Sequence, residues 1–203
     1  MSRIALIGAS GNVGSRLLKE LVSRGHQVTA IGRDPGKVPA GPKVTAVKGD
    51  INDAAALASL LKGHDVVISS VRFLDSDPSA LIDAVRRSGV KRYLVVGGAA
   101  SLYVAPGRRL LDQPDFPAQY KDEASRGAAF LEALKGVRDL DWTFLSPSAL
   151  FVPGARTGKF RTGRDELLVG EKGSTISYED YAIALVDEIE APKHARVRFT
   201  VGY

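Results

Sequence analysis

Short apolar runs alternate along most of the chain with segments whose apolar residues recur every three or four positions. The runs Arg3–Ile7, Gln27–Ile31, Val44–Lys48, Val66–Ser69, Tyr93–Val96 and Trp142–Leu145 predict strands buried on both faces. The segments Ser15–Val22, Ala54–Leu61, Ser79–Arg87 and Glu123–Leu134 predict amphipathic helices between them. A last helix over Tyr178–Ile189 and a final strand over Arg196–Val201 complete the pattern. Asp53 and Asp77 precede helices as N-caps, and Pro78 takes the favoured first helical position. Gly25, Gly63, Gly89 and Gly136 follow helices, where C-terminal glycines belong.

Strand–helix alternation with right-handed crossovers predicts an α/β fold: a doubly wound parallel sheet of the Rossmann type with helices on both faces. Residues 1–203 are expected to form one domain. Ligands in such folds sit at the C-terminal edge of the strands. Two stretches leave the regular pattern, 102–119 with its prolines and 147–175 with its glycines. Both follow strands that end at that edge, so both are candidate substrate loops.

The first turn carries the strongest chemical signal. Gly8, Gly11 and Gly14 are spaced G-x-x-G-x-x-G between the first strand and the first helix. The first glycine permits the turn, the second lets backbone approach a pyrophosphate, and the third lets helix pack on strand. The amides of Ser10, Gly11, Asn12 and Val13 then face phosphate at the positive end of a helix dipole. Capping of the helix by Ser10 or Asn12 is compatible with that role.

Composition removes several alternatives. The chain has no cysteine, which excludes disulfides and thiolate chemistry and suits a reducing cytoplasm. Its three histidines, His26, His64 and His194, fall in turns without metal-ligand spacing, so no metal is expected and surface roles are. No segment is long and apolar enough to span a bilayer. The net charge of +5 comes from basic residues mixed with acids, which argues against a nucleic-acid interface. The expected partner is a small-molecule acceptor, with the chain acting as a monomer or homodimer.

Further candidates line the predicted edge. Arg33 ends the second strand, where an arginine accepts a 2′-phosphate and an acid binds a ribose 2′-hydroxyl; Asp34 follows, so both options are present. Asp50 and Ile51 follow the third strand, where Asp50 either contacts adenine or makes a local turn. Ser69 and Ser70 end the fourth strand, and Gly97 and Gly98 the fifth; their small size either admits a cofactor or serves packing. Ser101 and Tyr120 are candidate proton donors, with capping and packing as the alternatives. Ser146 and Pro147 follow the sixth strand, and Phe151 either stacks on a planar ring or anchors a loop.

Gly8–Gly14, Gly32-Arg33-Asp34-Pro35, Gly49-Asp50-Ile51, Val95–Leu102 and Ile176–Ala182 together resemble the atypical short-chain dehydrogenase/reductases. The similarity is to the NmrA-like branch described as NAD(P)H-flavin reductases, related to biliverdin reductase B. It implies an NAD(P)H site, with Asp50 at the adenine amino group and the Ser146-Pro147 turn beside the nicotinamide. Arg33 favours NADP(H) over NAD(H), and a flavin is a candidate substrate. Better-known members of that superfamily pair a Tyr with a Lys four positions later, and none of the six tyrosines here has that partner. Hydride transfer to a flavin or similar planar acceptor suits this lack. A non-turning-over dinucleotide sensor and an epimerase or dehydratase are the alternatives.

Overall fold

A computed structural model describes residues 1–203. The strands are β1 (Arg3–Ile7), β2 (Gln27–Gly32), β3 (Val44–Lys48), β4 (Val66–Ser69), β5 (Arg92–Val96), β6 (Tyr103–Ala105), β7 (Arg108–Arg109), β8 (Asp141–Ser146), β9 (Leu150–Val152), β10 (Arg161–Gly163), β11 (Thr175–Ser177) and β12 (Val197–Gly202). The α-helices are α1 (Asn12–Ser23), α2 (Ala54–Leu61), α3 (Pro78–Ser88), α4 (Lys121–Lys135) and α5 (Tyr178–Glu190). The central sheet runs β10-β12-β8-β5-β4-β1-β2-β3, parallel throughout except for the edge strand β10. The strand order reverses between β1 and β4, which makes a crevice at their C-terminal ends.

Alternation within the strands divides the core. Ile4 and Leu6 of β1 face a layer that holds Leu17 and Leu21 of α1 with Tyr181 and Leu185 of α5. Ala5 and Ile7 face the opposite layer, with Leu57 of α2, Leu81 and Val85 of α3, and Phe130 and Leu134 of α4. The inner strands β1, β4, β5 and β8 are therefore apolar on both sides, as a parallel sheet covered on both faces requires, while the edge strands β3 and β10 are largely exposed.

Local signals act as expected at most helix ends. The Asp53 carboxylate accepts from Ala56 N at 2.9 Å, and that of Asp77 from Ser79 N at 2.8 Å. Gly89 is left-handed (φ +82°), but Gly136 is not (φ −76°), so α4 ends without the left-handed glycine turn. The two irregular stretches hold short strands: β6 and β7 form a hairpin, and β9 pairs with β11. They are also joined, since Tyr103 N donates to Asp165 O and Leu167 N to Tyr103 O. His26 departs from its expected surface role. It is 2% exposed, its Nδ1 accepts from Ser2 N, and its Nε2 meets Glu190 at 3.1 Å.

One buried charge ties a loop to the first helix. Glu20 on α1 accepts from Arg24 Nε at 2.8 Å and from both Nε and Nη2 of Arg156, at 2.9 and 2.8 Å. The Arg156 hydrogen bonds, with help from Arg24, hold its carboxyl below the ordinary value against the opposing effect of burial. A carboxyl depressed in the folded state stabilises fully above its unfolded value and loses that contribution as pH falls through the folded one. Glu20→Gln should therefore lower the thermal midpoint at pH 7 by roughly 2–10 °C, corresponding to about 1–3 kcal/mol. The gap from the parent should close as pH falls below about 4.5. A pH series of melts on the two proteins checks this; a gap that persists at low pH would contradict it.

Candidate functional site

The C-terminal edge of the sheet carries two adjoining hollows. The first, about 420 Å³, is the crevice over β1, β2 and β4. It is lined by Gly8, Ser10, Gly11, Arg33, Asp50, Ile51 and Ser70, and also by Arg72. The second, about 570 Å³, lies over β5 and β8 and under the two loops. Gly97, Gly98, Ser101, Tyr120, Pro147 and Phe151 contribute to it, with Phe73, Phe116, Asp115 and Glu123. The segment after β4 joins them, because Arg72 faces the first and Phe73 the second.

The three glycines of the first turn serve different masters. Gly8 is left-handed (φ +84°), and a Cβ there would lie 2.2 Å from Ser70 O. A Cβ on Gly14 would lie 2.1 Å from Gly8 O. Both are required by the chain's own packing. A Cβ on Gly11 would meet nothing of the protein nearer than Gly8 O at 3.4 Å, and its φ of −72° is open to any residue. The protein's own packing does not need a glycine at 11, which leaves that backbone open to approach from the crevice. Neither Ser10 nor Asn12 caps α1, whose start has no side-chain hydrogen bond and no acidic residue in its first turn. The amides of Asn12, Val13 and Gly14 are left without a protein partner at the positive end of the helix, an arrangement suited to an anion, whereas that of Gly11, expected to face phosphate, donates to Gly8 O at 3.1 Å.

Arg33 is exposed on the crevice wall. Asp34 is turned into its own loop, accepting from Gly36 N at 3.1 Å with Lys37 at 3.7 Å, and so leaves Arg33 unpaired. Arg72 makes no ion pair either. Two guanidiniums beside a helix N-terminus suit a phosphorylated dinucleotide. Asp50 makes the local turn, accepting from Asn52 N at 2.9 Å, and it also lines the crevice.

Some expected contacts are displaced. The Ser69 hydroxyl is 2.9 Å from that of Tyr93 in the core, and Ser70 is the serine that reaches the crevice. Gly97 is demanded by packing, since a Cβ there would lie 2.3 Å from Phe144 Cε1, whereas one on Gly98 would meet Phe73 only at 3.7 Å. The Ser146 side chain is fully buried and away from the cavity, and its carbonyl accepts from Thr200 Oγ1. Phe151 anchors its loop, packing on Tyr178 and Tyr181 with centroids 4.6 and 4.7 Å away, and it also lines the cavity.

The proton-donor candidates differ in setting. Ser101 is buried on the cavity wall, and its Oγ accepts from Arg198 Nη1 at 3.1 Å. Arg198 in turn donates Nε to Asp165 at 2.7 Å. The Ser101 hydroxyl hydrogen therefore remains available to the cavity, and the guanidinium polarises it as a donor. Tyr120 is 59% exposed at the rim, its hydroxyl makes no hydrogen bond, and Ala124 stands where a lysine partner would be. Glu123 is held by the fold: its carboxylate accepts from Phe73 N at 2.8 Å and Leu74 N at 2.9 Å.

Arg72, Phe73, Asp115, Phe116 and Glu123 are site residues that sequence reasoning did not single out. Arg72 had a usable signal, a basic residue three positions beyond a strand that ends at the crevice. The others lie in or against irregular loops, where periodicity says nothing.

The fold and crevice define an NAD(P)-binding protein of the oxidoreductase and epimerase kind. The sequence matches the family described as NAD(P)H-binding over residues 8–192. The chain belongs to that family. It is 41% identical to the uncharacterized protein YwnB of Bacillus subtilis, across 98% of this chain and 97% of that one. A Bacteroides thetaiotaomicron protein provisionally named as an epimerase is 42% identical, with a TM-score of 0.94 over 99% of this chain and 96% of that one. A Streptococcus pneumoniae protein provisionally named as an NADH-flavin reductase is 36% identical, with a TM-score of 0.87 over 100% of this chain and 99% of that one. Some more distant curated relatives are longer, and the chain spans 56% of one of them. No helix is long and apolar enough to cross a membrane.

The glycine geometry leads to a paired expectation. Gly11→Val should weaken dinucleotide binding at least about tenfold while costing the fold no more than about 1 kcal/mol. Gly14→Val, whose Cβ meets backbone, should fail to fold or melt far lower. Titration and thermal melts of both variants check this; unchanged affinity in a folded Gly11→Val protein would remove the phosphate role of the turn.

Proposed function

We propose that the chain is an NADPH-dependent reductase of flavins or similar planar conjugated acceptors. The observation that carries this reading is the apolar cavity opening beside the dinucleotide crevice. Its wall offers Phe73, Phe116 and Phe151 for stacking and holds no Tyr–Lys pair. A bound reduced nicotinamide supplies hydride. The protein's part is to hold an acceptor ring flat against that donor and exclude water, with a reacting distance of roughly 3–3.5 Å. A free flavin takes its remaining proton from solvent or from the polarised Ser101 hydroxyl. Similarity to the pneumococcal protein supports the same reading. Epimerisation is less well served, because it needs a base and an acid placed on the substrate, and Glu123 is bound to backbone amides while Tyr120 stands unpartnered.

Arg33, left free by Asp34, favours NADP(H) over NAD(H). A charge-assisted contact of about 1.5–3 kcal/mol corresponds to roughly a tenfold to hundredfold preference. Paired titrations should show it, and Arg33→Ala should reduce it; equal affinities in the parent protein would refute the assignment.

Tyr120→Phe should keep the hydride step within about threefold of the parent. Stopped-flow single turnover of NADPH-loaded protein with riboflavin isolates that step from binding and release. A loss of about a hundredfold would instead assign Tyr120 a general-acid role. Firm NADPH binding without turnover of any flavin would favour a cofactor sensor.

A further inference from the structure

The charges on the cavity wall restrict which acceptor can enter. Asp115 and Glu123 are the only formally charged side chains that line it, and no lysine, arginine or histidine does. This is notable in a chain with 28 basic residues and a net charge of +5. The adjoining crevice differs: Arg33 and Arg72 stand on its wall together with Asp50 and Asp75, and the uncapped start of α1 opens beside it. Two cations near the cavity are engaged by carboxylates, while Arg72, next to Phe73, faces the crevice and Lys121, next to Tyr120, is exposed outside the lining. Arg198, behind Ser101, pairs with Asp165 at 2.6 Å, and Arg109 is bound by both oxygens of Asp112 at 2.8 and 2.9 Å. Glu123 is anchored by two amides and cannot swing out of the wall, while Asp115 has no ion-pair partner. An anionic group entering the cavity meets two carboxylates and no counter-charge, in surroundings less polar than water.

On the reductase reading of this cavity, we propose that the acceptor is an uncharged or cationic planar ring system that carries no phosphate or carboxylate. The two hollows then differ in what they offer an anion: the crevice has arginines and uncapped helix amides besides its two aspartates, and the cavity has carboxylates without a cation.

Riboflavin and FMN differ only by the phosphate, so they isolate the effect. Quenching of flavin fluorescence by the full chain loaded with NADP⁺ should show riboflavin binding at least about tenfold tighter than FMN. The gap should narrow several-fold in Asp115→Asn and at high salt, as an electrostatic origin requires. Asp115 is exposed, so its replacement should leave the fold intact. FMN bound as tightly as riboflavin, a gap indifferent to both salt and Asp115→Asn, or binding of neither flavin would overturn the proposal. Riboflavin bound with the stated preference, yet not reduced when NADPH replaces NADP⁺, would refute the reductase reading and leave the charge selection standing.

Discussion

Most of the functional edge depends on one close approach, that of Gly14 at the start of α1 to the carbonyl of Gly8. With a Cβ position only 2.1 Å from that oxygen, nothing larger than glycine allows the helix to begin there. The contact aims the axis of α1 at the crevice and leaves its first amides uncapped. It also seats Leu17 and Leu21 against the sheet and brings α1 beside α5. From that position Glu20 reaches Arg156, so the loop beyond β9 is attached to a helix set by a glycine many residues away. Backbone sterics, more than any side-chain bond, decide where the anion site lies.

Much of this was legible in the chain. The strands of the parallel core and all the helices stand out because burial on both faces of a sheet requires continuous apolar runs, and half-exposed helices require a stripe. The start of α1 was less visible, since Asn12 and Gly14 are poor helix formers and the geometry of the turn overrides them. The short strands β6, β7, β9, β10 and β11 were not readable. They are only two or three residues long and are fixed by contacts between distant loops, such as that of Tyr103 with Asp165. Ser69 illustrates the same limit within the site. Period-two alternation shows that Ser69 and Ser70 point to opposite sides, but not which of them a tyrosine from the next strand will engage.

The site divides its tasks between backbone and side chains. The crevice offers uncapped amides and two arginines. The second hollow offers shape, aromatic faces and a single polarised hydroxyl. Such a division allows one half to be stringent while the other is permissive, because the two hollows share no lining residue.

The exception to that independence is Glu123. By holding the amides of Phe73 and Leu74, it makes α4 part of the frame that connects the two hollows. A residue with that duty is a poor place for variation, since its loss disturbs both walls at once. Asp115 and Phe116 have no such tie to the frame. Divergence of acceptor range among descendants of this scaffold would then run through the 110–120 loop, with the helix beneath it held constant. The architecture thus separates positions that can drift from positions that cannot, and the boundary falls within a few residues of a single cavity wall.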